Sequence, residues 1–297
     1  MKPLAIFVFF TFCHLLDAAA FTSIPDFEST EDGLMKLIGL MRKDDTEKPE
    51  FCDVHINYQG YYNGGGQDAA PQPLFSKVNE DLLKTGSYAK LLALRKYFNP
   101  ITGVAESQSA AKSQAIEDFY DTVWKSKPFG WLIQYLRDKH HPWAVNPATL
   151  RAAIKQIWFD NFSRAKGRLD SSAFEHVFFG EEKNNEVSGM HNWAVMYELE
   201  KQASEKFNYR GYQKKQYDVI ASVNLMWRGY EKPVGSFFAN SSPAFDFSVL
   251  TACFLTHRGK GEKCPLSSGR MSNQCSIIRY DPARKSLYRY RLSRSWP

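Results

Sequence analysis

The sequence changes its character near residue 167, and this change constrains the possible folds more than any other feature. Before it, apolar residues recur at the spacing of amphipathic helices, as in Ile116, Phe119, Tyr120, Val123 and Trp124. After it come short aromatic-rich segments separated by glycine-containing turns, a pattern typical of strands. Because the helices come first and the strands follow, the sequence predicts the α+β class. We expect an N-terminal helical lobe packed on a C-terminal lobe of antiparallel sheets.

The helices of the first half are predicted from stripes and caps. They are expected to begin near Ser87, to include Ile116–Trp124, to follow Pro128, and to begin at the Asn146-Pro147 cap. An amphipathic stretch also covers Leu34–Met41. These stripes are interpreted as core rather than as a cofactor site. His140 and His141 stand at a helix end and are predicted to lie on the surface.

The second half is predicted to alternate between strands, turns and two helices. We expect a strand at FEHVFF (174–179), a loop at Gly180–Gly189, a helix at 192–201, a strand at Tyr217–Trp227, a turn at Lys232–Ser236, and two short strands near Cys275–Tyr280 and Ser286–Leu292. Ser242-Pro243 is a favourable cap for an apolar segment whose length permits helix or strand. The cap favours a buried helix.

The first twenty residues have the pattern of a secretory signal peptide. Lys2 precedes an apolar run at Leu4–Leu16, and Ala18-Ala19-Ala20 offers a cleavage site near Ala20. An uncleaved anchor is the alternative reading. No later segment has the length and apolarity of a membrane span. We therefore expect a secreted or lumenal protein.

Secretion changes the interpretation of the cysteines and of two asparagines. Of the five cysteines, Cys13 lies in the signal segment, and Cys52, Cys253, Cys264 and Cys275 remain. In an oxidising compartment four cysteines suggest disulfides, with three possible pairings. Asn161 and Asn240 begin N-x-S sequons, so each is a candidate for glycosylation.

Positive charge is concentrated at the C-terminal end. The formal net charge is +6, yet residues 255–297 alone contain ten lysines and arginines against Glu262 and Asp281. Tyrosines are interleaved with these cations at 280, 288 and 290. This pattern suits a phosphate backbone with stacking bases. A solvated surface is the alternative reading.

Two histidines, His176 and His191, lie in the stretch Phe174–Trp193. Imidazole has an unperturbed pKa of about 6.5, so a pair of histidines can supply a base and an acid near neutrality. Glu175 and Glu181 flank the first histidine. A buried structural histidine and a helix-capping histidine are the alternative readings of the two positions.

The sequence around these histidines resembles that of a known family. Five motifs are similar, in the same order, to motifs of the EndoU family of uridylate-specific endoribonucleases: APQPLF, FEHVFFGE, SGMHNW, KPVGSFF and SSPAFDF. The resemblance covers about residues 51–297, after an N-terminal extension at 21–50. It implies a helical lobe at about 51–166 and a catalytic lobe at about 167–297. It also implies cleavage of single-stranded RNA at uridines, leaving 2′,3′-cyclic phosphate and 5′-hydroxyl ends.

The resemblance also implies roles for individual residues. His191 is expected to be the base, His176 the acid, and Lys232 the cation that stabilises the charged phosphorane. Because the ribose 2′-hydroxyl is the nucleophile, DNA is not expected to be cleaved. Gly189, Ser242 and Tyr290 correspond to positions that contact the substrate. Tyr288 and Asn240 depart from the residues usual in the family, and this leaves the strictness of uridine preference open.

Further expectations concern disulfides, metal and partners. The resemblance favours a Cys253–Cys264 disulfide and implies manganese as a cofactor, with Glu175 and Glu181 as its candidate ligands. These carboxylates are equally suited to orienting the histidine and the backbone. We expect a monomer that binds single-stranded RNA. Two other classes stay open: a secreted RNA-binding protein without activity, and a metal-dependent phosphodiester hydrolase that uses Glu175, His176, Glu181 and His191 as ligands.

Overall fold

The computed structural model describes residues 25, 27, 29–50, 52–165, 167–216 and 220–256, together with the backbone of 263–267, 272–278 and 289–292. The predicted signal peptide, His257 and Tyr288 lie outside the described residues, as do most of the basic residues near the C-terminus. Among the described helices, none is long and apolar enough to cross a membrane.

Seven α-helices are found among the described residues. They are α1 (Glu31–Lys43), α2 (Gly86–Leu94), α3 (Ala110–Trp124), α4 (Lys127–Asp138), α5 (Pro147–Phe159), α6 (Trp193–Glu200) and α7 (Pro243–Thr256). Short 3₁₀ helices cover Leu82–Lys84, Arg95–Tyr97, Pro142–Val145 and Ala203–Glu205, and a π-helix covers Glu175–Phe179. The predicted cap of α5 is confirmed, because the Asn146 side chain accepts from the Ala148 N–H at 2.9 Å.

Twelve strands are described, and they form four sheets. They are β1 (Val54–Ile56), β2 (Phe75–Val78), β3 (Asn161–Phe162), β4 (Ser171–Ser172), β5 (Glu181–Lys183), β6 (Glu186–Ser188), β7 (Asn208–Gln216), β8 (Ile220–Trp227), β9 (Tyr230–Phe238), β10 (Lys263–Ser267), β11 (Ser272–Ile278) and β12 (Arg289–Leu292). The largest sheet has the order β5-β6-β9-β8-β7, and its β6–β9 pair is parallel. The other sheets pair β1 with β2, β3 with β4, and β10-β11-β12, all antiparallel. Helices in the first half and sheets in the second confirm the predicted α+β class.

Helix α7 lies at the centre of the helical lobe although it comes from the second half of the chain. All fourteen of its residues are buried, which explains its nearly continuous apolar sequence. Phe247 stacks on Trp158 of α5 with ring centroids 4.3 Å apart, and contacts the rings of Phe119 and Phe129. The helix predicted from the Ser242 cap is therefore confirmed. The two halves of the chain share one hydrophobic core.

Helix α1 places part of the N-terminal extension in the same core. The Thr30 hydroxyl caps it by accepting from the Gly33 N–H at 3.2 Å. Leu34 and Met41 have no exposed surface, and α1 packs against α4 and α7. The segment at 31–43 is thus integral to the helical lobe.

Three local predictions in the second half are wrong. FEHVFF is not a strand, since Glu175–Phe179 form a π-helix and the rings of Phe174 and Phe178 lie one helical turn apart, with centroids 4.9 Å apart. Aromatic residues favour strands only where a sheet surface is available to pack on, and here helices surround the rings. Gly180–Gly189 is not a loop but contains the hairpin β5–β6. Lys232–Ser236 is not a turn but lies within β9, where Pro233 is tolerated because the ladder is irregular opposite Val223–Leu225.

The prediction that both His140 and His141 lie on the surface is wrong for His141. This residue has no exposed surface, and its Nδ1 accepts from the Trp143 N–H at 3.2 Å. Its ring also contacts Phe27, with centroids 4.8 Å apart. His141 therefore has a structural role at the start of a 3₁₀ helix, while His140 is exposed.

The cysteines are described only in part. Cys52 is a free, exposed thiol, and Cys253 is disulfide-bonded. The partner of Cys253 lies outside the described side chains, so the Cys253–Cys264 pair stays a prediction. Of the two sequon asparagines, Asn161 begins β3 and Asn240 precedes two fully buried serines.

Candidate active site

The backbone brings His176 and His191 together. Two hydrogen bonds join the π-helix to the segment that precedes α6: the Met190 N–H donates to the His176 carbonyl at 3.0 Å, and the His191 N–H donates to the Val177 carbonyl at 2.7 Å. The two imidazole centroids are 6.4 Å apart, with the rings inclined by 64°. Both side chains are buried, and the prediction of a histidine pair therefore corresponds to one physical site.

Gly189 allows this close approach. Its φ is +75°, and a Cβ built on it would lie 1.7 Å from the carbonyl oxygen of His176 and 3.1 Å from His176 Nδ1. No side chain fits there, because a backbone atom cannot yield as a flexible side chain can. Gly189 therefore sets the distance between the two histidines. Its predicted contact with substrate stays a prediction.

Replacement of Gly189 by alanine is expected to reduce cleavage activity more than the strain of a positive φ alone would. We expect a loss of cleavage of at least ~10²-fold, because displaced catalytic groups lose their orientation, together with a lowered thermal midpoint. Gly167→Ala is the matched control, since Gly167 has a φ of +67° and nothing within 4 Å of its Cβ position. Equal activity in the two variants would contradict the positioning role.

His191 is held in one tautomer by the sheet. Its Nδ1 lies 2.6 Å from the carbonyl oxygen of Ser236 in β9. A carbonyl only accepts, so Nδ1 carries the proton and Nε2 has the lone pair. An imidazole in this tautomer is suited to accept a proton at Nε2.

A buried network fixes the start of α6, directly after His191. The Asn192 side chain caps the helix by accepting from Ala194 and Val195, and its Nδ2 donates to Asp246 Oδ2 at 2.9 Å. The Ser241 hydroxyl donates to the other oxygen of Asp246 at 2.6 Å. Burial raises the pKa of Asp246 to about 8 despite these bonds. The histidine is thus anchored to α7 on one side and to β9 on the other.

His176 is held by a cation and an anion at the same ring nitrogen. Its Nδ1 lies 2.6 Å from Arg164 Nη1 and 3.0 Å from Glu181 Oε2, and Arg164 also pairs with Glu181 at 2.6 Å. A guanidinium can donate only to a lone pair, while a carboxylate can accept only from an N–H. Arg164 therefore favours a neutral ring with its proton on Nε2, and Glu181 favours a proton on Nδ1. The neutral ring has a proton on Nε2 only when Arg164 is the donor at Nδ1, whereas the protonated ring has a proton on both nitrogens and is held at Nδ1 by Glu181.

Burial dominates the titration of the site. The pKa of His176 is lowered to about 4, with desolvation as the largest cause; Glu181 opposes this shift, and the charges of Arg164 and Lys232 add to it. Desolvation also lowers the pKa of His191 well below its ordinary value, and the charges of Lys232 and His176 lower it further. Both imidazoles are consequently neutral at pH 7 before substrate binds. A bound phosphodiester would raise both pKa values, since an anion stabilises the protonated ring.

Lys232 supplies the positive charge of the site. It is 4% exposed, and burial lowers the pKa of its ammonium to about 7. No ion pair joins Lys232 to a carboxylate among the described residues. Its side chain runs past Gly235, where a Cβ would lie 3.0 Å from Lys232 Cε. Since its charge affects both histidines, the ammonium lies within electrostatic reach of each.

Glu175 and Glu181, the predicted manganese ligands, are in different states of pairing. Glu181 already neutralises Arg164, and its pKa is lowered, because the bond to His176 and the charge of Arg164 outweigh its burial. Neither oxygen of Glu175 has a hydrogen-bond partner among the described residues, and burial raises its pKa well above the ordinary value. Within the described part of the chain, no three His, Cys, Asp or Glu side chains have metal-binding geometry. Manganese binding at Glu175 and Glu181 stays a prediction.

The other predicted substrate residues are placed as follows. Ser242 is fully buried, and its hydroxyl caps α7 by accepting from the Phe245 N–H at 3.0 Å. Asn240 has a φ of +53°, a conformation that glycine adopts most easily and asparagine tolerates. Tyr290 lies on β12, directly opposite Ile277 of β11, and its side chain is outside the described ones. Substrate contact at these positions stays a prediction.

Two groups of the site escaped the sequence analysis. Arg164 lies twelve residues before His176 in a loop, and no periodicity or motif connects it to a histidine. The Ser236 carbonyl is a backbone group, and only the pairing of β9 brings it to His191. The many aromatic residues and glycines around both histidines were the only indication in the sequence of a close-packed site.

The helical lobe and the five-stranded sheet together have the fold of an endoribonuclease of the EndoU type. The chain belongs to that family: the family model described as endoribonuclease XendoU matches residues 33–289. The resemblance inferred from the motifs is thereby confirmed.

Named relatives and a solved structure agree with this assignment. Uridylate-specific endoribonuclease D of Xenopus laevis is 35% identical over 221 residues, which are 71% of each chain. Uridylate-specific endoribonuclease of Mus musculus is 34% identical over 81% of this chain and 59% of its own length. The solved structure of XendoU, a splicing-independent snoRNA-processing endoribonuclease, superposes with a TM-score of 0.74 at 28% identity and covers 90% of this chain and 99% of its own.

Proposed function

We propose that this protein cleaves single-stranded RNA on the 3′ side of uridines by attack of the ribose 2′-hydroxyl. The observation that carries the proposal is the convergence of His191, His176 and Lys232 in one buried site. The names of the relatives, which specify uridylate or poly(U), support the base preference.

The geometry suggests which histidine is the base. His191 has its proton on Nδ1, held by the Ser236 carbonyl, so its Nε2 is ready to take the proton of the 2′-hydroxyl. The 2′-oxygen then attacks phosphorus, and the bond to the 5′-oxygen breaks. The bound phosphodiester favours the protonated form of His176, and this imidazolium gives its Nε2 proton to the departing oxygen and becomes neutral. The products are a 2′,3′-cyclic phosphate and a 5′-hydroxyl.

Lys232 stabilises the charge that develops on the phosphorane. A buried ammonium acts in a low-dielectric site, where its attraction for the additional negative charge exceeds that in water. Because its pKa is about 7, its charge decreases as pH rises through neutrality in the free protein. The bound phosphate counters this loss, since an anion nearby favours the ammonium.

We also propose that the protein acts outside the cytosol. The apolar N-terminal run at Leu4–Leu16 and the disulfide-bonded Cys253 support this location, because disulfides persist in oxidising compartments.

The test is an analysis of end groups. The purified protein is incubated with an oligoribonucleotide that contains one uridine, with and without manganese, and the fragments are weighed by mass spectrometry. We expect a cyclic phosphate, which is lighter by one water than a monophosphate, in both conditions. A monophosphate as the first product would indicate a metal-dependent hydrolase, and binding without cleavage would indicate an RNA-binding protein that lacks activity.

A further inference from the structure

The edge strand β7 lies two strands away from β9, the strand that contains Lys232. In the ladder, Gly235 of β9 is opposite Val223 of β8, and Val223 is opposite Tyr212 of β7. Residues directly opposite each other share one face of a sheet. The side chain of Lys232 lies on the Gly235 side, because a Cβ at Gly235 would be 3.0 Å from Lys232 Cε. Tyr212 is therefore on the same face as Lys232, two strands or about 10 Å away across the sheet, and it is also displaced along the strands, since Lys232 is opposite Leu225.

A second tyrosine is fixed beside Tyr212 by the backbone. The Tyr62 N–H donates to the Tyr212 carbonyl at 2.8 Å, and the Tyr212 N–H donates to the Gly60 carbonyl at 3.1 Å. These bonds hold Tyr61 against the sheet edge, with its ring centroid 5.7 Å from that of Tyr212 at 73°. Although its backbone is held, Tyr61 exposes 60% of its surface. An exposed aromatic ring on a rigid backbone is suited to stacking.

This backbone arrangement depends on Gly211. Its φ is +132°, and a Cβ there would lie 2.8 Å from the Gly60 carbonyl oxygen and 3.2 Å from the Tyr62 Cβ. A side chain at this position would push the segment carrying Tyr61 away from β7.

Positive charge accompanies the rings. Lys215 places its ammonium 4.4 Å from the centroid of Tyr212 and 5.2 Å from that of Tyr58. Lys215 is exposed and forms no ion pair with a described residue. It is opposite Ala221 in the ladder and therefore shares a face with Tyr212, which is opposite Val223. An unneutralised lysine next to an exposed ring is a combination that binds single-stranded nucleic acid.

We propose that the Tyr61–Tyr212 edge, with Lys215, is a second RNA subsite, where Tyr61 stacks on a base and Lys215 binds the adjoining phosphate. The occupant is the substrate strand itself, at a nucleotide beyond the cleaved linkage. Charge complementarity and the shared sheet face with Lys232 support it. The inference rests on the proposed function, because it assumes that RNA occupies the site at Lys232.

The first test compares substrates of different length. A uridine dinucleotide is too short to reach Tyr61, while an oligonucleotide of about ten nucleotides covers the edge. We expect Tyr61→Ala to lower the ratio of kcat/KM for the long substrate over the dinucleotide about 10-fold, as loss of one base stack does. Tyr61→Phe keeps the ring and is expected to keep the ratio. An unchanged ratio in Tyr61→Ala would overturn the proposal.

The second test measures binding without cleavage, so that it stands apart from catalysis. The probe is a 2′-deoxyuridine oligonucleotide of about ten nucleotides, titrated at several salt concentrations. We expect Lys215→Gln to reduce the slope of log K against log salt by about 0.7. Lys125→Gln is the control, since this lysine is 76% exposed at the end of α3. Equal slopes in the two variants would overturn the subsite. If the slopes differ as expected but the unmodified protein does not cleave RNA, the result counts only against the proposed function.

Discussion

An oligoribonucleotide with a single 2′-deoxyuridine at the cleaved linkage is expected to survive incubation with this protein, while its all-ribose twin is cut. The reason is that His191 can activate only a hydroxyl that exists at that ribose. Lys232 and His176 remain in place, yet they have no pentavalent phosphorane to stabilise or to resolve. This substitution removes the nucleophile itself, so its effect is the largest that the mechanism allows.

The control moves the deoxy position without changing the composition. A second oligonucleotide has its 2′-deoxy sugar one nucleotide to the 3′ side of the cleaved linkage, and it is expected to be cut, because that ribose takes no part in the reaction. Fragments are separated by gel electrophoresis after equal times. Efficient cutting at the deoxy position would contradict attack by the 2′-hydroxyl and would favour an activated water.

Replacement of either active-site histidine by alanine is expected to lower cleavage by at least ~10²-fold, the usual effect of losing a proton-transfer group. His191→Ala removes the base and His176→Ala removes the acid. His55→Ala is the matched control, because His55 is exposed on β1. Rates are compared at saturating and at low substrate, and thermal unfolding is followed in parallel.

The alanine variants also lose buried contacts, so a conservative variant is needed. His191→Ala leaves the buried Ser236 carbonyl without its donor, which costs about 1–3 kcal/mol of stability. His191→Asn retains an N–H that can reach this carbonyl but has no basic nitrogen. A folded His191→Asn protein with near-normal activity would refute the role of His191 as base.

The helical lobe could be predicted closely because its signals are local. Asn146 and Ser242 each cap a helix with their own side chains, and the amphipathic stripe at 116–124 lies within α3. Such interactions lie within a few residues of the chain, so a sequence expresses them directly. Helix α1 shows the limit of local signals: its apolar stripe could be predicted from the sequence, but its packing in the common core could not.

The active site could be predicted only as a set of residue types. His176, His191 and Lys232 were identified through their motifs, and the residues that tune them were not. Arg164 and the Ser236 carbonyl reach the histidines from distant segments, and nothing in their own neighbourhood in the sequence indicates those partners.

The fold class and the family could be inferred from the sequence alone, because caps, stripes and motifs are properties of short segments; the roles of His176, His191 and Lys232 stay predictions. The tertiary structure was needed to establish that FEHVFF is helical, that His141 is buried and that KPVGS is part of a strand. It also decided the protonation of the site, since desolvation lowers the pKa of Lys232 to about 7 only after distant segments close over it. Burial and long-range pairing depend on the whole chain, and local patterns do not encode them.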